Sequence, residues 1–205
     1  YFRDRRLARR LAEEARRKPD LRMILILPAA PDDVAFEGST GLDARLGEFL
    51  QAKCLRILRR GFGRRLFVGG AAQRRRTRAK GRAQLRGAPL VYIHAKVSIF
   101  DDSLAIVSSA NLNGRSLRWD TEAGVVMSDP EHVSRLRRRL MEHWLPRGAA
   151  EDFFDPLRAV PAWWALAARN AKLRPEQRRG FLLPYDLKSA EDFGRSFPLV
   201  PDEMV

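Results

Sequence analysis

Three observations predict an α/β domain. Amphipathic helical patterns alternate along the chain with short apolar runs that read as strands. The stretch 91–102 alternates residue by residue, as a half-buried strand does. The chain has 205 residues, 45% of them apolar, which is ample for one folded core.

The elements follow in order. Residues 4–17 predict a helix and 21–27 a buried strand; Pro, Asp and Gly between 28 and 41 predict a loop. An amphipathic helix is expected over 42–60, stopped by Gly61, with Leu46, Leu50, Cys54, Ile57 and Leu58 on its apolar side. Cys54 in that stripe is expected to be a buried structural thiol, and as the single cysteine it excludes an internal disulfide and a cysteine-based zinc site. A short strand over 66–68 ends before Gly69-Gly70, and further strands are expected over 89–100, 104–108 and 123–127. Asp129-Pro130 opens a helix that carries Val133, Leu136, Leu140 and Trp144 on one stripe, with His132 and His143 at the surface or its boundary. From Pro146 the pattern is irregular and punctuated by Pro156, Pro161, Pro175, Pro184, Pro198 and Pro201. The expected division is therefore a catalytic half-domain over 1–145 and a tail over 146–205 that packs on it. Trp163 and Trp164 in the tail suit simple packing, an acyl-chain groove or a membrane interface.

Charge narrows the partners. The formal net charge is +14, with 39 basic residues, only six of them Lys, against 25 acidic ones. An arginine excess of this size also follows from genome composition, yet a positive field still attracts phospholipid or nucleic acid. Arg74, Arg75, Arg76, Arg78, Lys80, Arg82 and Arg86 form the densest cluster. It contains no aromatic residue and so lacks a stacking platform for single-stranded nucleic acid. A solvated loop and a contact with lipid headgroups both fit it. No apolar stretch approaches the length needed to span a bilayer, and the compartment stays open between peripheral, cytoplasmic and secreted. Asp32-Asp33 has no third carboxylate or His at ligand spacing and reads as a solvated turn rather than a metal pair.

The chemistry is concentrated between residues 94 and 122. His94 and Lys96 stand two apart and so project from one face of a strand, an imidazole beside an ammonium. That pair suits a phosphoryl centre: the imidazole attacks or carries a proton, and the ammonium holds a non-bridging oxygen. A hairpin around Asp101 and Asp102 would return Ser109 and Asn111 to the same edge, where an amide and a hydroxyl can bind phosphate oxygens. Glu122, just before the strand at 123–127, is a candidate to orient the far nitrogen of His94.

His94, Lys96, Asp101, Ser109, Asn111 and Glu122 together resemble the signature of the phospholipase D superfamily, H-x-K-x4-D followed by G-[GS]-x-N and an acidic residue. Ser108 replaces the usual glycine of the second motif. The resemblance implies a mixed sheet flanked by helices and metal-independent phosphodiester cleavage or exchange through a phosphohistidine, without a cofactor. It also implies that two H-x-K-x4-D elements complete one site, whereas this chain has one. Tyr1-Phe2 followed by a helix resembles the beginning of the second half of two-element phospholipases. The expectation is thus a C-terminal piece whose partner half lies elsewhere in the polypeptide, the alternative being a small subunit that pairs with itself. Asn111 and the later Arg115-Ser116 resemble the phospholipid-acting branch. The expected substrate is a phosphatidylcholine-like phospholipid at a membrane surface, with Lys96, Asn111 and Ser109 binding the phosphate and His94 as acid and base. Asp101 is expected to support the hairpin. A homodimeric nuclease and a non-catalytic anion- or membrane-binding module are the other readings, nucleic acid being the less favoured partner.

Overall fold

The computed structural model describes residues 1–196, so Pro198 and Pro201 lie outside the described residues. Helix α1 (Arg5–Arg17) starts where the Asp4 carboxylate accepts the Leu7 N–H at 2.6 Å. It ends where Arg65 donates to the carbonyls of Ala15, Lys18 and Leu21 at 2.8–3.1 Å; the Ala15 oxygen is one that the helix leaves unpaired, since Pro19 has no N–H to give it. Ala8, Ala12 and Ala15 are buried, and this stripe of small side chains lets α1 lie close against α3 (Leu42–Phe62). Gly61 belongs to that contact: a Cβ there would sit 2.5 Å from the Cβ of Ala12. The helix therefore passes through Gly61 instead of stopping at it, and Gly63 caps it. The close approach, not a turn, accounts for that glycine.

Strand β1 (Met23–Ile26) runs parallel to β2 (Leu66–Ala71), which pairs antiparallel with β8 (Leu182–Pro184). Alternation divides this sheet between two cores. Met23, Leu25, Leu66 and Val68 pack toward α1 and α3, while Ile24, Ile26, Phe67 and Leu182 pack toward α6 (Ala159–Lys172). β2 outruns the expected strand because Gly69 and Gly70 are ladder residues: a Cβ on Gly69 would meet the Phe67 ring at 2.7 Å. The expected loop over 28–41 contains a short helix, α2 (Asp32–Phe36), which has both aspartates in its first turn, where the helix dipole favours them. Cys54 is buried.

The segment after Pro146 is anchored in the main body. Trp163 is 1% exposed and donates to the Phe153 carbonyl at 3.0 Å, and Trp164 donates to the Leu66 carbonyl at 2.8 Å. Both indoles meet the Phe67 ring edge-on. After α6 and β8 comes α7 (Leu187–Phe193), which packs on α3.

A two-stranded ribbon, β3 (Gln84–Leu85) with β4 (Ala88–Pro89), leads to a second three-stranded sheet. It is an antiparallel meander of β5 (Val97–Phe100), β6 (Leu104–Ser108) and β7 (Gly124–Met127). Residues 91–96 belong to no strand, so the expected strand over 89–100 is two shorter pieces. The cause is geometric. Leu90 bridges Ala72 and the Val91 N–H bonds the Ala71 carbonyl, so the chain must cross from one sheet to the other before joining β6. At the β5–β6 turn Asp101 has a φ of +50°, a left-handed conformation that Asp tolerates. Asp102 ties the turn to α5 (Pro130–Trp144) through two hydrogen bonds from Arg137, at 2.6 and 3.2 Å. His132 and His143 in α5 are both exposed.

Between the two larger sheets lies a cavity of about 720 Å³. Leu21 to Ile26 line one side; Ile93, Ala95, Val97 and Ile99 line the other. The Ser108 N–H bonds the Lys96 carbonyl at 3.1 Å, so the even-numbered residues there direct their backbone groups toward β6. The odd-numbered ones direct theirs away from β6, toward the open edge of β5.

Gly61→Ala tests the α1–α3 contact. Overpacking against Ala12 should cost about 1–3 kcal/mol, outweighing a helix-propensity gain of about 1 kcal/mol. The urea midpoint should fall with the slope unchanged.

Candidate active site

The six signature residues are distributed over three short pieces of chain. His94 and Lys96 precede β5, and Asp101 sits in the β5–β6 turn. Ser109 and Asn111 follow β6, and Glu122 precedes β7. The meander brings the entry to β5, the exit from β6 and the start of β7 to one end of the sheet, while Asp101 is at the other end. Asp101 thus belongs to the turn, and no side chain among the described residues hydrogen-bonds it.

The loop after β6 is held from both sides. Ser108 Oγ accepts the Ala110 N–H at 3.2 Å and the Ser109 N–H bonds the Ala123 carbonyl at 2.9 Å. Leu112 forms a parallel bridge with Phe2: its carbonyl accepts from Arg3 and Asp4 at 2.7 and 2.9 Å, and its N–H bonds the Tyr1 carbonyl at 3.1 Å. Phe2 is fully buried, so the pairing is fixed to the core. Arg118 reinforces it by donating to Asp4 at 2.5 Å. Asn113 then caps the short helix α4 (Gly114–Arg118) by accepting the Ser116 N–H at 2.9 Å.

Tyr1 connects the motifs. Its nitrogen donates to Asn111 Oδ1 at 3.1 Å. Its hydroxyl donates to Asp32 Oδ1 at 3.3 Å and lies 3.4 Å from the Tyr92 hydroxyl. A phenol has one proton to give, so when Tyr1 donates to Asp32, Tyr92 donates to Tyr1. Burial and the Tyr92 contact push the Tyr1 hydroxyl above the usual tyrosine range, which keeps it protonated. The Tyr92 ring in turn lies against the His94 imidazole, centroids 5.8 Å apart, and Phe36 meets Tyr92 edge-on at 5.9 Å. Tyr1, Asp32, Phe36 and Tyr92 were not singled out by the motif. Only the aromatic residue two before His94 was a visible signal for one of them.

Glu122 does not orient His94 in this structure. Its carboxylate accepts from the Ser109 hydroxyl and is also hydrogen-bonded by Ser116; these bonds, the Ser109 one first, hold it below the usual glutamate range. Ser109 also accepts the Ala123 N–H at 3.0 Å. The expected Glu122–His94 bond fails because Ser109, next to it across the strands, reaches the carboxylate first. Lys96 is close enough to Glu122 for attraction, but burial is the stronger influence and lowers its pKa below the ordinary lysine value. His94, Lys96, Ser109, Asn111 and Glu122 thus cluster around one end of the meander with Tyr1 threaded between them. This combines a proton carrier, a cation, amide and hydroxyl donors and a carboxylate, a set suited to an anionic tetrahedral centre.

Ser109→Ala removes the strongest donor to Glu122. The Glu122 pKa should rise toward its ordinary value, as read by carboxyl carbon NMR across an acid titration. The sign follows from the depressed folded value: the bond contributes stability above the unfolded glutamate pKa and loses it as pH falls through the folded one.

The sequence matches the family described as "Cardiolipin synthase, PLD-like domain" over residues 1–144. Mouse phospholipase D1 is 33% identical over 107 residues, covering 41% of this chain and 10% of that protein. Phospholipase D zeta 2 of Arabidopsis thaliana is 47% identical over 45 residues, 21% of this chain and 4% of the plant enzyme. An uncharacterized protein of Helicobacter pylori is 35% identical over 51 residues, 25% of this chain and 10% of its own length. The chain therefore spans a tenth or less of these relatives. With most of its length inside the family match and five of the six signature residues, all but Asp101, at one end of the meander, the chain belongs to the phospholipase D-like domain family.

Proposed function

We propose that this chain supplies one H-x-K-x4-D element of a phospholipase D-type site that cleaves or exchanges the headgroup of phosphatidylcholine-like phospholipids. The observation that carries this reading is the clustering of His94, Lys96, Ser109 and Asn111 around one end of the β5–β6–β7 meander, linked through Tyr1 and Glu122. Lys96 and Asn111 hold the phosphoryl oxygens and offset the charge that builds in the transition state. A histidine of the second element attacks phosphorus; the bond from phosphorus to the headgroup oxygen breaks, and His94 gives that oxygen a proton. Water or an alcohol then attacks the phosphohistidine, His94 takes its proton, and the phosphorus–nitrogen bond breaks. Ser109 and Glu122 form a strut that holds the loop carrying Asn111. Exposed apolar side chains next to this strut, Leu117, Trp119, Val125 and Val126, support a covering second element, whether the other half of a longer polypeptide or a second copy.

The basic segment supports a membrane-facing role. Arg82 is drawn inward, donating to the Ala29 carbonyl at 2.6 Å and pairing with buried Glu48. Arg74, Arg75 and Arg78 stay at the protein surface.

Two experiments test these readings. His94→Ala, assayed with both elements present on phosphatidylcholine vesicles, should lose about 10²–10⁴-fold in headgroup release and in transfer to a primary alcohol; near-normal turnover would refute the assignment. Cleavage of DNA, with no action on lipid, would replace the substrate class. Neutralising Arg74, Arg75, Arg76 and Arg78 together should weaken binding to anionic vesicles by about 1 kcal/mol per charge at low salt. Unchanged binding in a sedimentation assay would discard the membrane-facing role.

A further inference from the structure

His94 is the residue on which turnover would depend, yet among the described residues no side chain hydrogen-bonds its ring. The carboxylate that the motif offers for this purpose, Glu122, is occupied by Ser109 and Ser116. What does neighbour the imidazole is Tyr92, two residues earlier, with ring centroids 5.8 Å apart and planes inclined by 31°. Tyr92 is itself fixed from two directions. Phe36, from α2, meets it edge-on at 5.9 Å and 89°. Its hydroxyl lies 3.4 Å from that of Tyr1, which reaches on to the Asp32 carboxylate at 3.3 Å; the Asp32 N–H also donates to Tyr1, at 3.3 Å.

We infer that Tyr92 is a positioning residue for His94: its ring, held by Phe36 and by the Tyr1–Asp32 link, sets the orientation of the imidazole. This rests on the phospholipase D-type reading only for its consequence in turnover; the contact itself stands apart from that reading. The physical argument is one of rotamer freedom. An exposed imidazole outside any strand samples several χ1 and χ2 combinations, and a flat neighbour pinned on two sides removes those that would overlap it. A proton carrier must lie within hydrogen-bond reach of the atom it serves, so misorientation lowers the chemical step without weakening phosphate binding, which Lys96 and Asn111 provide. The same arrangement gives α2 a purpose. It carries both Asp32 and Phe36, one at each end: Phe36 meets the Tyr92 ring directly, and Asp32 holds the Tyr1 hydroxyl that Tyr92 reaches.

Two variants separate ring from hydroxyl. Tyr92→Leu keeps bulk but loses the flat face; Tyr92→Phe keeps the face and loses the link to Tyr1. With ¹³Cε1-labelled histidine, the His94 resonance is assigned by its absence in His94→Ala and followed in each variant. Tyr92→Leu should shift that resonance by removing the ring current and shorten its order on the picosecond–nanosecond scale, while the His132 and His143 signals stay in place. Tyr92→Phe should restore most of the ordering. In the headgroup assay with both elements present, Tyr92→Leu should lower kcat on the order of 10²-fold with KM little changed, and Tyr92→Phe should recover most of that loss. Unchanged His94 dynamics in a folded Tyr92→Leu protein would overturn the inference, as would equal loss of kcat in both variants. If Tyr92→Leu does not fold, Phe36→Leu takes its place, since Phe36 is largely exposed and its loss should loosen Tyr92 and His94 together; rigid His94 there overturns the inference equally. An altered His94 signal in a protein that never acts on phospholipid supports the positioning role and removes the proposed substrate instead.

Discussion

One short stretch of backbone pairing, Phe2 against Leu112, is what the candidate site depends on. The loop that carries Ser109 and Asn111 has no ladder of its own beyond Ser108, and a loop of that length would otherwise be mobile. The bridge gives it three backbone hydrogen bonds to residues 1–4. Because the Phe2 side chain is wholly buried among α3 and its neighbours, those bonds attach the loop to the most rigid part of the molecule. The same few residues perform three other tasks: Asp4 caps α1 and pairs with Arg118, Arg3 stacks on Tyr1 at 4.4 Å, and Tyr1 reaches toward both motifs. Site and core are therefore coupled through a segment more than a hundred residues away in sequence.

Beneath this segment lies an unusual concentration of buried polarity. Glu48 is 1% exposed and pairs with Arg82; Gln51 accepts from the Phe2 N–H at 3.3 Å and donates to the buried Tyr185 hydroxyl at 2.7 Å. Burial raises the Glu48 pKa and Arg82 opposes that rise. Glu48 Oε1, Arg82 Nε and Arg3 Nε are buried without a hydrogen-bond partner among the described residues. Burying a charged pair gains little net stability, whereas stranding one member costs several kcal/mol, about 3–5 in measured cases. The network therefore favours one arrangement of its members more than it favours folding as such. Its members come from the first residues, α3, the basic segment and the turn before α7, which is where the support for Tyr1 must be assembled.

Much of this was legible in the sequence, for reasons that differ by element. The amphipathic period of α3 and α5, the single buried cysteine and the three strands of the meander are local patterns, and local patterns survive folding. The glycines misled because their meaning is tertiary: Gly61 and Gly69 make room for Ala12 and Phe67, contacts that no window of sequence contains. The helix over Asp32–Phe36 was hidden by its five-residue length and its setting among Pro and Gly. Five of the six motif residues stand at one end of the meander and Asp101 at the other, and the Glu122 carboxylate accepts from Ser109, its neighbour across the strands. Tyr1, Asp32 and Phe36 carry no motif, and only the fold links them to Tyr92, the neighbour of His94.

Strand parity explains how one short segment can serve both chemistry and architecture. His94 and Lys96, even-numbered, project to the candidate site; Ile93, Ala95, Val97 and Ile99 line the cavity between the sheets. With the even residues from Lys96 onward hydrogen-bonded toward β6, the odd residues turn their backbone N–H and C=O groups to the open edge of β5, and β1 is likewise an edge strand of its own sheet. The segment thus has an apolar, partly unpaired side and a polar, reactive side, separated by a single peptide unit. A one-residue slip in its register against β6 would exchange the two sets, placing Ile93 and Ala95 at the phosphate position and His94 in an apolar cavity. What resists that slip is the turn at Asp101 and Asp102, where a left-handed residue and the Arg137 clamp fix the hairpin to α5. Asp101 and its neighbour thereby contribute to a site from which they are remote: they fix which side chains of the preceding strand reach it.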